Sequence, residues 1–317
     1  MKVPYGHGGK EFKALSVLFR HLKNKRIDIV HSNCNLDRTV AAVAGRLVKA
    51  INFSSILICM SIRRNLTHAI RNKFLIDHFT PIGFATKRIL VERDRIPPEK
   101  ISVIPPGIPE NEFLFDEGER SKVRKEFNIS EDEIVIGAVS RLVDFKGHVF
   151  LLKAFSELQE KFANLKLLII GDGPLREELI AESKKLNISQ RTIFAGSRNS
   201  KDVLSAIDIF AQTPKDFGGE SLPVSMLEAM SVGLPLIASN VGDISALIDG
   251  TNGFLVEPES VQQIVKSTYP LLESENLRKE FGASSRKLFL QKFTLEKMAD
   301  KMEKLYLEEL ERAGKKY

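Results

Sequence analysis

Short apolar runs alternate with longer amphipathic stretches along almost the whole 317-residue chain. IDIVHS (27–32), SSILICM (54–60), FTPIGF (79–84) and SVIPP (102–106) are the predicted strands of a first unit. EIVIGAVS (133–140), LKLLIIGDG (165–173), TIFAGS (192–197), IDIFAQT (207–213), PLIAS (235–239) and GFLVE (253–257) are those of a second. Strands so continuously apolar are buried on both faces. The helix-length segments between them predict parallel sheets with helices on each side. LLKAFSELQEKF and LREELIAESKKL carry apolar residues at helical spacing. The fold class is therefore α/β, with two Rossmann-like, doubly wound domains.

The stretch 105–133 mixes prolines, acidic residues and one short helical pattern, and reads as a linker. The expected division is 1–128 for the first domain and linker and 129–317 for the second, closed by an amphipathic helix over about 291–317. The first unit looks incomplete, with four predicted strands against six. A doubly wound nucleotide-type domain opens on a strand and a glycine-rich turn, but YGHGG follows no strand and the first clear one comes after Arg26.

No run of eighteen apolar residues is present, so no spanning helix is predicted. MKVPYGHGGKEFKAL lacks the apolar core of a signal peptide, so a cytoplasmic protein is expected. Cys34 and Cys59, the two cysteines, lack metal-type spacing and read as reduced thiols. Charge is unevenly spread. Through Asn128 there are 23 Lys+Arg against 13 Asp+Glu; beyond it there are 24 against 28. A basic first half suits either a solvated surface or an anionic partner. RRNLTHAIRNKFLIDHF (63–79) mixes cations with apolar residues. It fits peripheral docking on an anionic membrane or a helix packed on the sheet. No nucleic-acid motif is present, and no nucleic-acid partner is expected.

Ligands of open parallel sheets sit beyond the carboxyl ends of the strands. Four motifs fall on that edge of the second unit. In AVSRLVDFKGH (138–148), Arg141 leaves a strand and Lys146 opens the next helix, two cations placed to suit a diphosphate. LIIGDGPLREEL (168–179) is a tight glycine turn with Pro174 at a helix start. FAGSRNS (194–200) sets Gly196, Ser197 and Arg198 in a turn where a base can lie. ESLPVSMLEAMSVGLPLIAS (220–239) places Glu220 just before a helix begun by Pro223 and ended by Gly233, with Glu228 inside it. At ~1.5 Å rise per residue, Glu228 lies ~8 Å deeper than Pro223. The two carboxylates therefore address different parts of one extended ligand rather than forming a close acid/base pair.

Taken together, SRLVDFKG, GDGP, the FAGS turn and the E-x7-E of 220–228 resemble glycosyltransferase family 4, the retaining transferases of the GT-B fold. KISVIPPGIPENEF (100–113), with Pro106 in place of an Asn, and VGDISALIDGTNGFLVEP (241–258) extend the resemblance over 79–317. It implies two Rossmann-like domains facing a cleft and transfer of a sugar from a nucleotide-diphosphate donor to a hydroxyl acceptor. The setting would be cell-surface polysaccharide, lipopolysaccharide or glycolipid synthesis. It implies that Arg141 and Lys146 hold the diphosphate. Glu220 would meet the transferred sugar and Glu228 the ribose. The amides of Ser221, Leu222 and Val224 would meet the distal phosphate, since Pro223 has no N–H, and Gly196 and Ser197 would line the base. Glu220, Arg141 and Lys146 are the catalytic set. Neither metal nor cofactor is implied, because two cations and a helix dipole supply the positive charge. The acceptor would be a glycan or lipid-linked hydroxyl.

The resemblance is weakest at the start. His31-Ser32-Asn33 keeps one histidine of the family pattern, and His31 reads as structural. Arg63 and Arg64 stand where the family often has a functional histidine, and His68 comes too late to match. Either the chain is truncated at its N-terminus, or it is a shortened member completed by a partner. A donor-binding subunit without activity of its own is the alternative function.

Overall fold

The computed structural model describes residues 10–33, 38–63, 65–216 and 219–315. YGHGG, Cys34, Arg64 and Gly218 lie outside them. The chain forms two compact units, 1–105 with 298–317, and 106–297.

The first unit runs α1 (Lys10–Lys25), β1 (Ile29–Ser32), α2 (Arg38–Leu47), β2 (Ile51–Ile56), α3 (Leu66–Phe74), β3 (His78–Pro81) and α4 (Phe84–Glu92). Its strands are parallel in the order β1-β2-β3. All six residues of β2 are buried. Only three of the four predicted strands form. Ile101 makes a single bridge to Phe79, and Ser102 and Ile104 donate to Phe79 and Pro81 carbonyls at 3.1 and 3.0 Å. Pro105 and Pro106 then lack the N–H a longer ladder needs. The strand predicted at 54–60 lies earlier. Its pairing ends at Ile56 opposite Pro81, and Leu57, Ile58 and Met60 leave the sheet exposed. Continuous hydrophobicity could not mark that end, because it runs on past the last paired residue.

The second unit runs α5 (Glu117–Glu126), β4 (Ile134–Val139), α6 (His148–Leu158), β5 (Leu165–Ile170), α7 (Arg176–Lys185), β6 (Thr192–Gly196) and α8 (Ser200–Val203). It continues through β7 (Ile209–Gln212), α9 (Val224–Val232), β8 (Leu236–Ser239), β9 (Gly253–Val256), α10 (Val261–Glu273) and α11 (Glu275–Lys292). Six parallel strands stand in the order β6-β5-β4-β7-β8-β9. The chain thus starts mid-sheet, builds to one side, then crosses and builds to the other. Leu151, Leu152 and Phe155 of α6 pack with Leu167 and Ile169 of β5, Ile237 of β8 and Ile264 of α10 in its core.

The observed division differs from the expected one at 128/129. The stretch read as a linker belongs to the second unit. There Arg124 of α5, fully buried, bonds Asp208 at 2.7 Å and the carbonyls of Ser130 and Glu133. The last helix, α12 (Leu295–Arg312), is shorter than predicted, and from residue 298 it belongs to the first unit. Leu305 and Leu310 share a core with Ile51, Phe53 and Ile104, and Met298, Met302 and Tyr306 pack on it. These helical positions recur every three to five residues and make one apolar stripe, whose partner is a sheet distant in sequence. Among the described residues no helix is long and apolar enough to cross a membrane.

Candidate functional site

The crossover puts the topological switch point of the second sheet between β4 and β7, which are neighbours. The carboxyl edge at such a point is where open parallel sheets bind ligands.

The segment after β4 is held from two sides. Ser140 and Leu142 donate backbone N–H groups to Ile170 and Asp172 carbonyls at 3.0 and 2.9 Å. The GDGP turn lies directly against it: a Cβ on Gly171 would fall 1.9 Å from the Ser140 carbonyl oxygen, and one on Gly173 2.4 Å from that of Leu142. These two glycines thus serve close packing of two turns. On the other side, Gly147 has φ +66°, and a Cβ there would sit 2.0 Å from the Thr213 carbonyl oxygen at the end of β7. His148 is buried, with Nε2 2.9 Å from the Ser140 hydroxyl. Burial, helped by the nearby Lys146 charge, lowers its pKa to about 4, so it packs as a neutral ring.

Lys146 reaches across the switch point and donates to the Glu220 carboxylate; their side chains are 14 % and 10 % exposed. Arg141 is exposed, and its guanidinium has no partner among the described residues. The two predicted cations therefore differ: one is held by Glu220, the other is open to an anion. The carbonyl oxygen of Glu220 lies where a Cβ on Gly242 (φ +60°) would approach to 2.4 Å. Next to it, Ser221 is buried. Its carbonyl accepts from the Asp243 N–H at 2.9 Å, and its hydroxyl donates to the Asp243 carboxylate at 3.2 Å.

Helix α9 starts where predicted, with Pro223 as its cap and Gly233 (φ +89°) ending it. Leu222 is buried and Val224 is 44 % exposed. The first turn of a helix has N–H groups with no carbonyl a turn behind them, and its dipole end is positive. An anion at this edge meets both.

Glu228 faces elsewhere. Burial raises its pKa, a hydrogen bond from Ser200 partly offsets this, and Glu112 adds to the rise. Ser200 opens α8, directly after the Gly196–Ser197 turn. Gly196 has φ +69° and its carbonyl accepts from Gly171 N–H at 2.9 Å; a Cβ there would meet nothing within 4 Å. Ser197 is exposed. Arg198 is turned away, paired with Glu126. The two glutamates thus face different segments, Glu220 the one after β4 and Glu228 the one after β6.

Four residues here escaped the sequence reading: Lys215, Asp243, Ser200 and His148. Only Lys215, two residues beyond a predicted strand end, carried a usable signal. Among the described residues no three His, Cys, Asp or Glu side chains are placed to hold a metal ion. A cavity of about 620 Å3 opens at the amino-terminal edge of this sheet, but six carboxylates against three cations line it, which disfavours a phosphate ligand. In the first unit, His31 is partly buried and hydrogen-bonded through both ring nitrogens, as a structural histidine would be.

Two parallel-sheet units, the second crossing over at a switch point between β4 and β7, define an α/β protein of the GT-B type. Anabaena HepE, solved in complex with UDP, has this fold: TM-score 0.82 at 18% identity, over 93% of this chain and 82% of that one. Residues 119–288 match the model for glycosyl transferases group 1, and 2–112 that for glycosyltransferase family 4. The chain belongs to the group 1 glycosyl transferases. It is 28% identical over 202 residues to N-acetyl-alpha-D-glucosaminyl L-malate synthase of Bacillus anthracis, covering 63% of this chain and 52% of that protein. To the UDP-Gal:alpha-D-GlcNAc-diphosphoundecaprenol alpha-1,3-galactosyltransferase of Escherichia coli it is 24% identical over 313 residues, 94% and 80% of the two chains. The match thus spans about half the length of the first relative.

Proposed function

We propose that this protein is a retaining, metal-independent glycosyltransferase that moves a sugar from a nucleoside-diphosphate donor to a hydroxyl acceptor in surface polysaccharide, lipopolysaccharide or glycolipid synthesis. The observation that carries it is the Lys146–Glu220 contact across the switch point, beside the open Arg141 guanidinium and the start of α9. The acceptor oxygen bonds to the anomeric carbon as the bond from that carbon to the diphosphate breaks. The electron pair leaves with the diphosphate, and the acceptor proton passes to a phosphate oxygen. Arg141, Lys146 and the amides of Ser221, Leu222 and Val224 at and just before the start of α9 neutralise the leaving charge. Glu220 holds the sugar hydroxyls and Glu228 the ribose, with Gly196 and Ser197 against the base. The resemblance of the E-x7-E and SRLVDFKG motifs to the retaining family 4 transferases supports retention. The donor class is supported by the UDP in HepE and the UDP-Gal named for the Escherichia coli relative. Release of UDP or GDP from a panel of sugar nucleotides tests it. Turnover lost in Glu220→Ala, Lys146→Ala and Arg141→Ala supports the site, and turnover unchanged in all three refutes it. Nucleotide binding without turnover would instead mark a donor-binding subunit.

We also propose peripheral contact with an anionic membrane at the inner face of the plasma membrane. The lipid-diphosphate acceptor named for the Escherichia coli relative supports it, and helix α3 carries it. Its buried residues are polar, Arg71 and Asn72, while Leu66, Ile70 and Phe74 are 74 %, 50 % and 59 % exposed. This apolar face, one residue per turn with Arg63 and Lys73 nearby, points outward. Co-sedimentation with anionic but not neutral vesicles is the expected result; equal absence from both would sink it.

A further inference from the structure

The two segments at the switch point exchange lysines and carboxylates in both directions. The turn after β4 sends Lys146 to Glu220, and the segment after β7 sends Lys215 back to Asp144, with Nζ 2.6 Å from Oδ1. The same lysine donates its backbone N–H to the Phe145 carbonyl at 2.8 Å, and the Thr213 hydroxyl donates to the Gly147 carbonyl at 3.3 Å. The Lys215 side chain is 15 % exposed and that of Asp144 62 %, and the ammonium stands 5.9 Å from the centre of the Phe150 ring.

The two pairs have different prospects when a donor arrives. Lys146 and Glu220 neutralise each other where they meet. To hold a phosphate oxygen and a sugar hydroxyl, they must give up that contact at least in part. Nothing in the donor scheme asks this of Lys215 and Asp144. An exposed ion pair alone contributes little, because water and salt screen it. Here the ammonium is largely covered, and the same residue adds a backbone bond one position from Asp144.

We propose that Lys215 and Asp144 form a clasp that keeps the Lys146 turn against the Glu220 segment while the Lys146–Glu220 pair opens to admit donor. Both are positioning residues, and the proposal rests on the donor-site reading above. It predicts a change in donor affinity with little change in the chemical step.

The test uses the full chain as Lys215→Ala, Asp144→Ala, Lys215→Arg and the exchanged double variant Asp144→Lys/Lys215→Glu. Amide hydrogen exchange over 140–147 is read without ligand, binding of UDP and GDP by calorimetry, and kcat with KM on whichever sugar nucleotide turns over. Each alanine variant should speed exchange at 140–147 and weaken nucleotide binding about fivefold, with kcat nearly unchanged. Lys215→Arg should keep parental values, and the exchanged pair should recover most of the loss. Unchanged exchange in both alanine variants overturns the clasp. Faster exchange with unchanged nucleotide affinity also overturns it, reducing the pair to a local brace. Lys146→Ala serves as control: if it and the parent bind both nucleotides equally, the donor-site reading falls instead, and exchange alone judges the clasp.

Discussion

The Tyr306 hydroxyl lies 2.5 Å from Nδ1 of His31, joining residues 275 positions apart. Nε2 of the same ring is 2.8 Å from the Ser55 hydroxyl. A phenol donating to Nδ1 leaves Nε2–H to donate to Ser55, so a neutral imidazole is satisfied at both ends. Burial keeps it neutral, lowering the His31 pKa to about 4 and raising that of Tyr306. Tyr306→Phe should therefore leave a largely buried nitrogen without its partner and cost ~1–3 kcal/mol, read as a lower urea midpoint. An unchanged midpoint would mean water replaces the phenol without cost.

Acid should loosen the fold before carboxylate titration does. His31, Phe53 and His78 stand in register across the three strands. Burial, with Arg312, Lys100 and Lys87 adding to it, also lowers His78 to about 4 although the Glu309 carboxylate lies 3.5 Å from its Nδ1, and burial does the same to His148 in the second unit. In the unfolded chain histidine titrates near ~6.5. Between those values the unfolded chain binds more protons, so stability rises with pH there. It is full above about pH 6.5 and falls as pH drops toward 4. The raised Glu228 carboxyl has the opposite sign, but it is one group against three. Urea unfolding at pH 7 and pH 5 checks this, with the lower midpoint expected at pH 5.

The two glutamates should separate kinetically. Glu220→Gln keeps the shape but removes the charge facing Lys146, and kcat/KM should fall about 100-fold, mostly in kcat. Glu228→Gln, at the Ser200 end, should mainly raise donor KM. Equal effects on both parameters in both variants would contradict the division of labour.

Gly242→Ala tests how the Glu220 segment is seated. Its φ of +60° disfavours any side chain, and the new Cβ would press on the Glu220 carbonyl. Donor affinity should fall about tenfold or more, beyond what the accompanying drop in Tm of a few degrees explains. Parental affinity at a lowered Tm would show that Glu220 does not depend on this contact.

Ile70→Glu with Phe74→Glu should abolish binding to anionic vesicles and leave stability within ~0.5 kcal/mol, since both residues are already exposed. A large loss of stability would show instead that α3 is part of the core.

The positions of the candidate site residues along the fold were partly legible in the sequence. Arg141, Lys146 and Glu220 sit on strand-to-helix segments and Glu228 inside α9, positions that follow from apolar runs and from the proline and glycine that bound α9. Their local placement needs only neighbours in sequence. The partners of these groups were not legible. Lys215–Asp144, Ser221–Asp243 and Ser200–Glu228 join turns brought together by the crossover between β4 and β7.

By itself, the sequence determined the α/β class, the parallel pairing of buried strands and the edge on which charged and glycine-rich turns gather. Side-chain periodicity and backbone permissiveness act over a few residues, so these features are written locally. Tertiary structure alone decided that the pairing of β2 ends at Ile56 opposite Pro81, that SVIPP is no strand, and that 106–133 belongs to the second unit. It also decided that α12 covers β2 of the first. An apolar stripe declares that it will be buried, but non-directional burial does not name the surface it meets. That choice depends on which strands the whole chain places side by side.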